Sequence, residues 1–275
     1  MNFNIQALEV TKVKEPVTLL NKLHYFVSKL GFLIDKHNQD QMVGYYSELE
    51  EVIDDYSSFI INSENENQWH NVKQTYEISL LIEKLRKMSA DCVKIMEKYW
   101  ALKYLHETEE MTDYFRNIEG CIEKEHSGFP ITNKSKVLVV GAGSFPITLL
   151  SISKRTGAEV LGIDIDDEAI LLGRQVAAKL GNHTIQIENK SVNELQSIQQ
   201  ISHIIFSSTV NCKYDILEQL HGLTNKDVMI AMRYGNGLKS LFNYPMETVD
   251  ATKWRIVEQI AAPQGVFDIV LYQKV

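Results

Sequence analysis

Val137-Leu-Val-Val-Gly-Ala-Gly-Ser-Phe-Pro-Ile-Thr148 is followed about twenty residues later by Val160-Leu-Gly-Ile-Asp-Ile-Asp166, the spacing of a βαβ unit. One apolar run ends in Gly141-Ala142-Gly143 and a second ends in an acid, Asp164. Two glycines let a backbone turn sharply and approach a ligand closely, with no Cβ in the way. An acid at the tip of the next strand can accept hydrogen bonds from both hydroxyls of a ribose. The pair reads as the first unit of a nucleotide-binding sheet, with Ile165 beside the acid at the same strand tip.

A dinucleotide fingerprint wants a third glycine at position 146, and Pro146 stands there. A pyrophosphate needs free N–H groups at a helix N-terminus, and proline removes one. The turn therefore favours a ligand with ribose and adenine but no phosphate, a description that S-adenosylmethionine fits.

Bulk composition narrows the field. The 275 residues suffice for one large or two small domains, and 44% hydrophobic with 23% charged residues is ordinary for a globular protein. A net charge of −8 argues against a nucleic-acid partner, which needs a basic face. Cys92, Cys121 and Cys212 are odd in number, far apart and without CxxC spacing, which points away from zinc and disulfides and towards a reducing cytoplasm. The eight histidines are scattered singly, so no metal is expected. Met1–Gln6 has no signal-peptide pattern, and Val137–Ile152, the most apolar window, is broken by Gly, Ser and Pro and is too short to span a membrane.

Along the chain, residues 1–128 read as a helical domain. Val17, Leu20, Leu23, Phe26, Val27 and Leu30 form one amphipathic stripe, and Tyr45, Leu49, Val52, Ile53, Tyr56 and Ile60 form another. Asn62-Ser-Glu-Asn-Glu-Asn67 reads as a polar loop. Apolar residues from Ile78 to Leu105 predict one long helix or two in line, and Tyr114–Glu125 a shorter one. After Ser127-Gly-Phe-Pro130, residues 129–275 alternate short apolar runs with helical patterns, the signature of a parallel sheet. The predicted strands are 136–140, 159–164, 184–188, 203–207, 228–233 and 267–273; the predicted helices are 148–156, 167–180, 192–198, 214–220 and 237–241. The fold class is α/β: a helical N-terminal domain, then a Rossmann-like, methyltransferase-type doubly wound sheet. Ligands bind such sheets at the carboxyl ends of the strands, where Gly141, Gly143, Asp164, Asn189–Ser191, Ser207–Thr209 and Arg233–Asn236 fall.

Two stretches carry a resemblance. Val139-Val-Gly-Ala-Gly-Ser-Phe-Pro-Ile-Thr148 and Arg233-Tyr-Gly-Asn-Gly-Leu-Lys-Ser-Leu-Phe-Asn-Tyr-Pro245 together resemble the nicotianamine synthase family. Lys94-Ile-Met-Glu97 and Tyr114-Phe-Arg-Asn-Ile-Glu119 match more loosely. The resemblance covers nearly the whole chain. It implies S-adenosylmethionine as co-substrate, transfer of its 3-amino-3-carboxypropyl (aminobutanoyl) arm to an amine, and release of methylthioadenosine. It further implies D-histidine as acceptor, a metallophore of the staphylopine type as end product, and a histidine racemase and an opine dehydrogenase as pathway partners. A homodimer is compatible with it.

The site expected on this basis has Glu97 as the base that takes the proton from the attacking amine, with Tyr114 beside it. Asn117 stands where the family more often has Tyr, and belongs to the acceptor side. Periodicity alone allows Glu97 to be a surface acid paired with Lys94 or Lys98. Gly141, Ala142, Gly143, Pro146, Asp164 and Ile165 would hold the adenosyl part; Ser191 and Val192 would meet the adenine edge, by analogy; Ser207 and Ser208 would floor the arm. Asp166 and Asp167 read as helix caps. Arg233, with its planar fork, suits a carboxylate of the arm or of the acceptor, or else an interdomain ion pair. Tyr234 and Tyr244 complete the acceptor side. Chemistry alone also permits a small-molecule methyltransferase, because a sulfonium activates three carbons and position decides which reacts. A non-catalytic nucleoside-sensing module is a third possibility.

Overall fold

In a computed structural model the residues described are 18–39, 44–72, 75–106, 130–180 and 184–275. The helical part contains α1 (Leu19–Asn38), α2 (Tyr45–Ile60), α3 (Ser63–Trp69) and α4 (Tyr76–His106). Helix α1 starts where the Thr18 side chain accepts from the Asn21 N–H, and it buries Leu19, Leu23, Phe26, Leu30 and Leu33 at alternating steps of four and three. Helix α4 is one continuous element of 31 residues that buries Leu85, Cys92, Val93, Met96 and Trp100.

The rest is a seven-stranded sheet: β1 (Lys136–Val140), β2 (Glu159–Ile163), β3 (Ile185–Glu188), β4 (His203–Phe206), β5 (Met229–Tyr234), β6 (Trp254–Ile260) and β7 (Asp268–Lys274), in the order β3-β2-β1-β4-β5-β7-β6. The first five in that order run parallel, and β7 is antiparallel to both β5 and β6. The covering helices are α5 (Ile147–Thr156), α6 (Asp167–Lys179) and α7 (Lys213–Leu223). The chain reverses its direction of sheet-building between β1 and β4, and the carboxyl edge at that point is where such sheets hold ligands.

Side chains alternate across the sheet. Val137, Val139, Ile205, Ala231, Ile269 and Leu271 join one core with α1, α2 and α4. Leu138, Val140, Ile204, Phe206, Ile230, Met232 and Tyr272 join another with Leu217, Leu220 and Trp254. The helical part and one face of the sheet thus share a single apolar core, although the sequence divides them near residue 128. Packing leaves no slack at Gly162 on β2, where an added Cβ would lie 2.6 Å from Leu149 Cδ2 and 2.9 Å from Ala142 Cβ. Gly162→Ala is expected to cost about 1–3 kcal/mol through overpacking, read as a lower denaturation midpoint at unchanged slope in urea; an unchanged midpoint would contradict this packing.

The six predicted strands stand within a residue of their expected ends. Three expectations are corrected. Asn62–Asn67 is no loop: Ser63–Trp69 is a helix whose N-cap, Asn62, accepts from the Asn65 N–H, and only Asn65 and Trp69 of it are buried. The helix expected over 192–198 is two 3-10 turns, Val192–Glu194 and Ile198–Gln200, separated at extended Leu195. The 3-10 turn Gly237–Leu241 replaces an α-helix there. Strand β6 had no counterpart in the sequence reading. The helix expected over Tyr114–Glu125 lies outside the described residues.

Candidate active site

The glycine turn is built as its sequence demands. Gly141 has φ 84° and Gly143 φ 70°, a region that residues with a Cβ rarely adopt. The N–H groups of Gly141 and Ala142 both donate to Ile163 O, at 2.9 and 3.1 Å, which locks the turn onto the end of β2. A Cβ at Gly141 would fall 2.8 Å from Val210 Cγ2, and one at Gly143 would fall 2.5 Å from Glu97 Oε2. Pro146 is the N-cap of α5 and makes no side-chain cap bond.

Asp164 is held by three main-chain donors. Gly143 N donates to Oδ2 at 2.9 Å, and Ile165 N and Asp166 N donate to Oδ1 at 2.8 and 3.1 Å. A carboxylate has about four acceptor positions, so capacity remains for a hydroxyl. Ile165 next to it is 94% exposed, an apolar side chain with nothing covering it among the described residues. Asp166 caps α6, accepting from Glu168 N and Ala169 N.

Helix α4 delivers Glu97 to this turn. Lys94 pairs with Asp166 at 2.5 Å and Lys98 pairs with Glu168, so both lysines flanking Glu97 are engaged with the start of α6. Further along, Lys179 Nζ donates to Tyr104 O at 2.6 Å and Leu105 O at 3.1 Å, tying the far end of α6 to the end of α4. Glu97 itself is turned inward and only partly exposed, and its carboxylate accepts from the Ser144 N–H. Burial first, and the nearby Asp164 charge second, push the Glu97 carboxyl up to about 8, against the Ser144 bond that lowers it. An acid that titrates near neutral pH beside a glycine turn of this kind can hold or take a proton there.

The remaining sequence-derived residues distribute as follows. Ser207 Oγ donates to Gly141 O at 2.8 Å, joining the end of β4 to the glycine turn. Ser208 O accepts from Lys213 Nζ and from Tyr244 N. The Ser191 hydroxyl and N–H both donate to Glu194 Oε2 at 2.8 Å in a capping box, and Val192 is buried beneath. Arg233 is 3% exposed; its Nη1 donates to Thr148 Oγ1 at 3.0 Å and its guanidinium lies 5.0 Å from the Phe267 ring centroid. Tyr234 packs in the other core, with Tyr214 and Tyr272. Tyr114 and Asn117 lie outside the described residues. Glu97, Gly141, Gly143, Asp164, Ser207 and Ser208 therefore share one edge, whereas Arg233 and Tyr234 are built into the body of the sheet.

Two residues were not anticipated. Lys213, at the start of α7, is fully buried and donates to three main-chain oxygens: Arg233 O at 2.7 Å, Ser208 O at 3.3 Å and Tyr244 O at 3.4 Å. Burial, then the Arg86 charge, push its ammonium down to about 7, against Glu247, which raises it. A lysine in the first turn of a helix opposes the helix dipole, and that misplacement was the available signal. Arg86 on α4 donates through Nε to Ser240 O at 2.8 Å, and its guanidinium lies 5.0 Å from the Tyr244 ring centroid. Its signal is spacing: eleven residues are about three helical turns, so Arg86 and Glu97 share one face of α4.

The L-histidine 2-aminobutanoyltransferase of Pseudomonas aeruginosa is 28% identical over 233 residues, covering 84% of this chain and 88% of that protein. The Yersinia pestis protein of the same name is 28% identical over 195 residues, 70% and 72% of the two chains. No protein-family model matches. Among solved structures, a point mutant of the nicotianamine synthase MtNAS in complex with S-adenosylmethionine superposes with a TM-score of 0.73 at 15% identity, covering 92% of this chain and 97% of that one. MtNAS in complex with MTA and tNA gives 0.72 at 15% identity.

Proposed function

We propose that this chain, related to the histidine 2-aminobutanoyltransferases and built on the nicotianamine synthase fold, transfers the aminobutanoyl arm of S-adenosylmethionine to the amine of histidine and releases methylthioadenosine. One observation carries the reading: a carboxylate titrating near 8, Glu97, lies against the glycine turn beside the ribose-type acid Asp164.

The edge suits the co-substrate. Gly141 and Gly143 let the turn pack against Val210, Ser207 and Glu97, Asp164 has acceptor capacity for a ribose hydroxyl, and Ile165 offers an apolar surface to a base. The sulfonium supplies a leaving group that makes its neighbouring carbons electrophilic. Ser207 and Ser208, small residues at the end of β4, leave room for the arm over the glycine turn. An acceptor α-amine is mostly protonated at pH 7 and attacks only when neutral. Glu97 takes that proton as general base. The cationic sulfonium beside it favours the charged carboxylate, so binding prepares the base.

By-product analysis decides between this and methylation. Incubation with S-adenosylmethionine and either enantiomer of histidine is expected to yield methylthioadenosine and a histidine adduct heavier by the aminobutanoyl group. S-adenosylhomocysteine as the product would overturn the proposal, and so would inertness towards both enantiomers. Sequence resemblance favours D-histidine and the curated relatives carry the L name, so the paired reaction also assigns the hand. A cytoplasmic setting, with a histidine racemase supplying the acceptor and an opine dehydrogenase consuming the product, completes the proposal.

A further inference from the structure

Beneath α4, a continuous chain of contacts runs from the glycine turn to a second charged locus. Glu97 meets Gly143; Gly141 is bonded to Ser207; Ser208 O accepts from Tyr244 N at 3.4 Å; and the Tyr244 ring lies under the Arg86 guanidinium. Lys213 stands on the same ring, its Nζ 5.9 Å from the centroid. Two cations thus converge on one tyrosine at the carboxyl ends of β4 and β5. Among the described residues neither has a carboxylate within ion-pair distance; Glu83 and Glu247 act on them only from further off. Lys213 is sealed in and spends its donors on main-chain oxygens. Arg86 spends only Nε, on Ser240 O, and remains half-buried with the outer edge of its fork unpaired among those residues.

Uncompensated positive charge in a partly desolvated place is costly unless a ligand completes it. The ligand of the right sign here is a carboxylate, which a guanidinium fork holds in a planar, charge-assisted pair. Arg233, the cation that the sequence suggested for such a grip, is turned instead towards Thr148 and Phe267. Arg86 and Glu97 lie on one face of α4, about 16 Å apart along the axis, so their two long side chains have to lean towards each other to meet the amine and the carboxylate that one α-carbon carries.

We propose that Arg86, backed by the buried Lys213 ammonium and the Tyr244 ring, binds the carboxylate of the acceptor amino acid. The inference rests on the aminobutanoyltransferase reading and extends it: the amine end of the acceptor faces Glu97 and the carboxylate end faces Arg86.

Histamine, histidine without its carboxylate, is the probe. The unmodified enzyme is expected to use histidine with a kcat/KM at least about 100-fold above that for histamine, the scale of losing a charged hydrogen-bond partner. In Arg86→Met the histidine value falls by a similar factor, the histamine value stays near its original level, and affinity for S-adenosylmethionine is unchanged. Arg86→Gln, which keeps polarity and length, reads the same ratio if the Met variant does not fold. Equal use of histidine and histamine by the unmodified enzyme overturns the inference without any variant. A folded Arg86 variant that keeps the full preference for histidine overturns it as well. Failure of the unmodified enzyme to convert histidine at all would instead strike the proposed function.

Discussion

Glu97→Gln is expected to lower the rate of methylthioadenosine formation by about 10³-fold, within the range that a positioned general base supplies, while S-adenosylmethionine still binds. Gln matches the shape of Glu and can still accept from the Ser144 N–H, so the glycine turn keeps its geometry. The pH dependence is a stronger check. Activity of the free enzyme, read as kcat/KM, should rise as the carboxyl ionises near pH 8, and this limb should vanish from the residual activity of the variant. Stability moves in the opposite sense. A carboxyl raised in the fold binds its proton more tightly there than in the unfolded chain, so its contribution is present at low pH and is lost as pH climbs from the ordinary range of about 4.3 towards 8. Gln pays no such penalty. At pH 9 the variant should melt roughly 2–4 °C above the parent, the shift that about 1 kcal/mol gives in a domain of this size. A variant that turns over at the parental rate removes Glu97 from the chemistry.

Asp164→Ala is expected to weaken S-adenosylmethionine binding by roughly 10- to 150-fold, because a hydrogen bond to a charged group is lost at about 1.5–3 kcal/mol. The same change strands the N–H groups of Gly143, Ile165 and Asp166, so the melting temperature should fall too. Asp164→Asn separates the effects. It keeps an acceptor but removes the charge that helps hold Glu97 high, so the acidic limb of the pH profile should move to lower pH. Calorimetric titration that finds parental affinity in Asp164→Ala would remove the acid from the cleft.

The βαβ unit was legible because its signals are local and redundant: an apolar strand, glycines that need positive φ, and an acid at the next strand tip. Strand positions followed from apolar runs buried on both faces. The same logic hid β6, Trp254–Ile260, which lies at the sheet edge with five successive exposed residues and so has no apolar run to read. Helix α3 was hidden likewise, since a short helix with two buried residues in seven leaves no stripe. Glu97 was legible only through resemblance, because its neighbours Lys94 and Lys98 offered a plausible surface pairing in one dimension. Contact with α6 redirected those lysines, and only three-dimensional packing specifies that. Arg86 and Lys213 were missed for a related reason: each takes its meaning from main-chain oxygens that only folding brings to it, and from Tyr244, more than thirty residues away from either.

Strand β7 lies between β5 and β6, and its Ile269 and Leu271 enter the core that the helices share with the sheet. During ribosomal synthesis α1–α4 emerge long before that strand exists, with their sheet-facing side unmated. The sheet cannot close until the chain has passed residue 268, so a nascent protein stalled in β6 should be a client for chaperones, and a nonsense change at Val266 should yield aggregate in place of a smaller working enzyme.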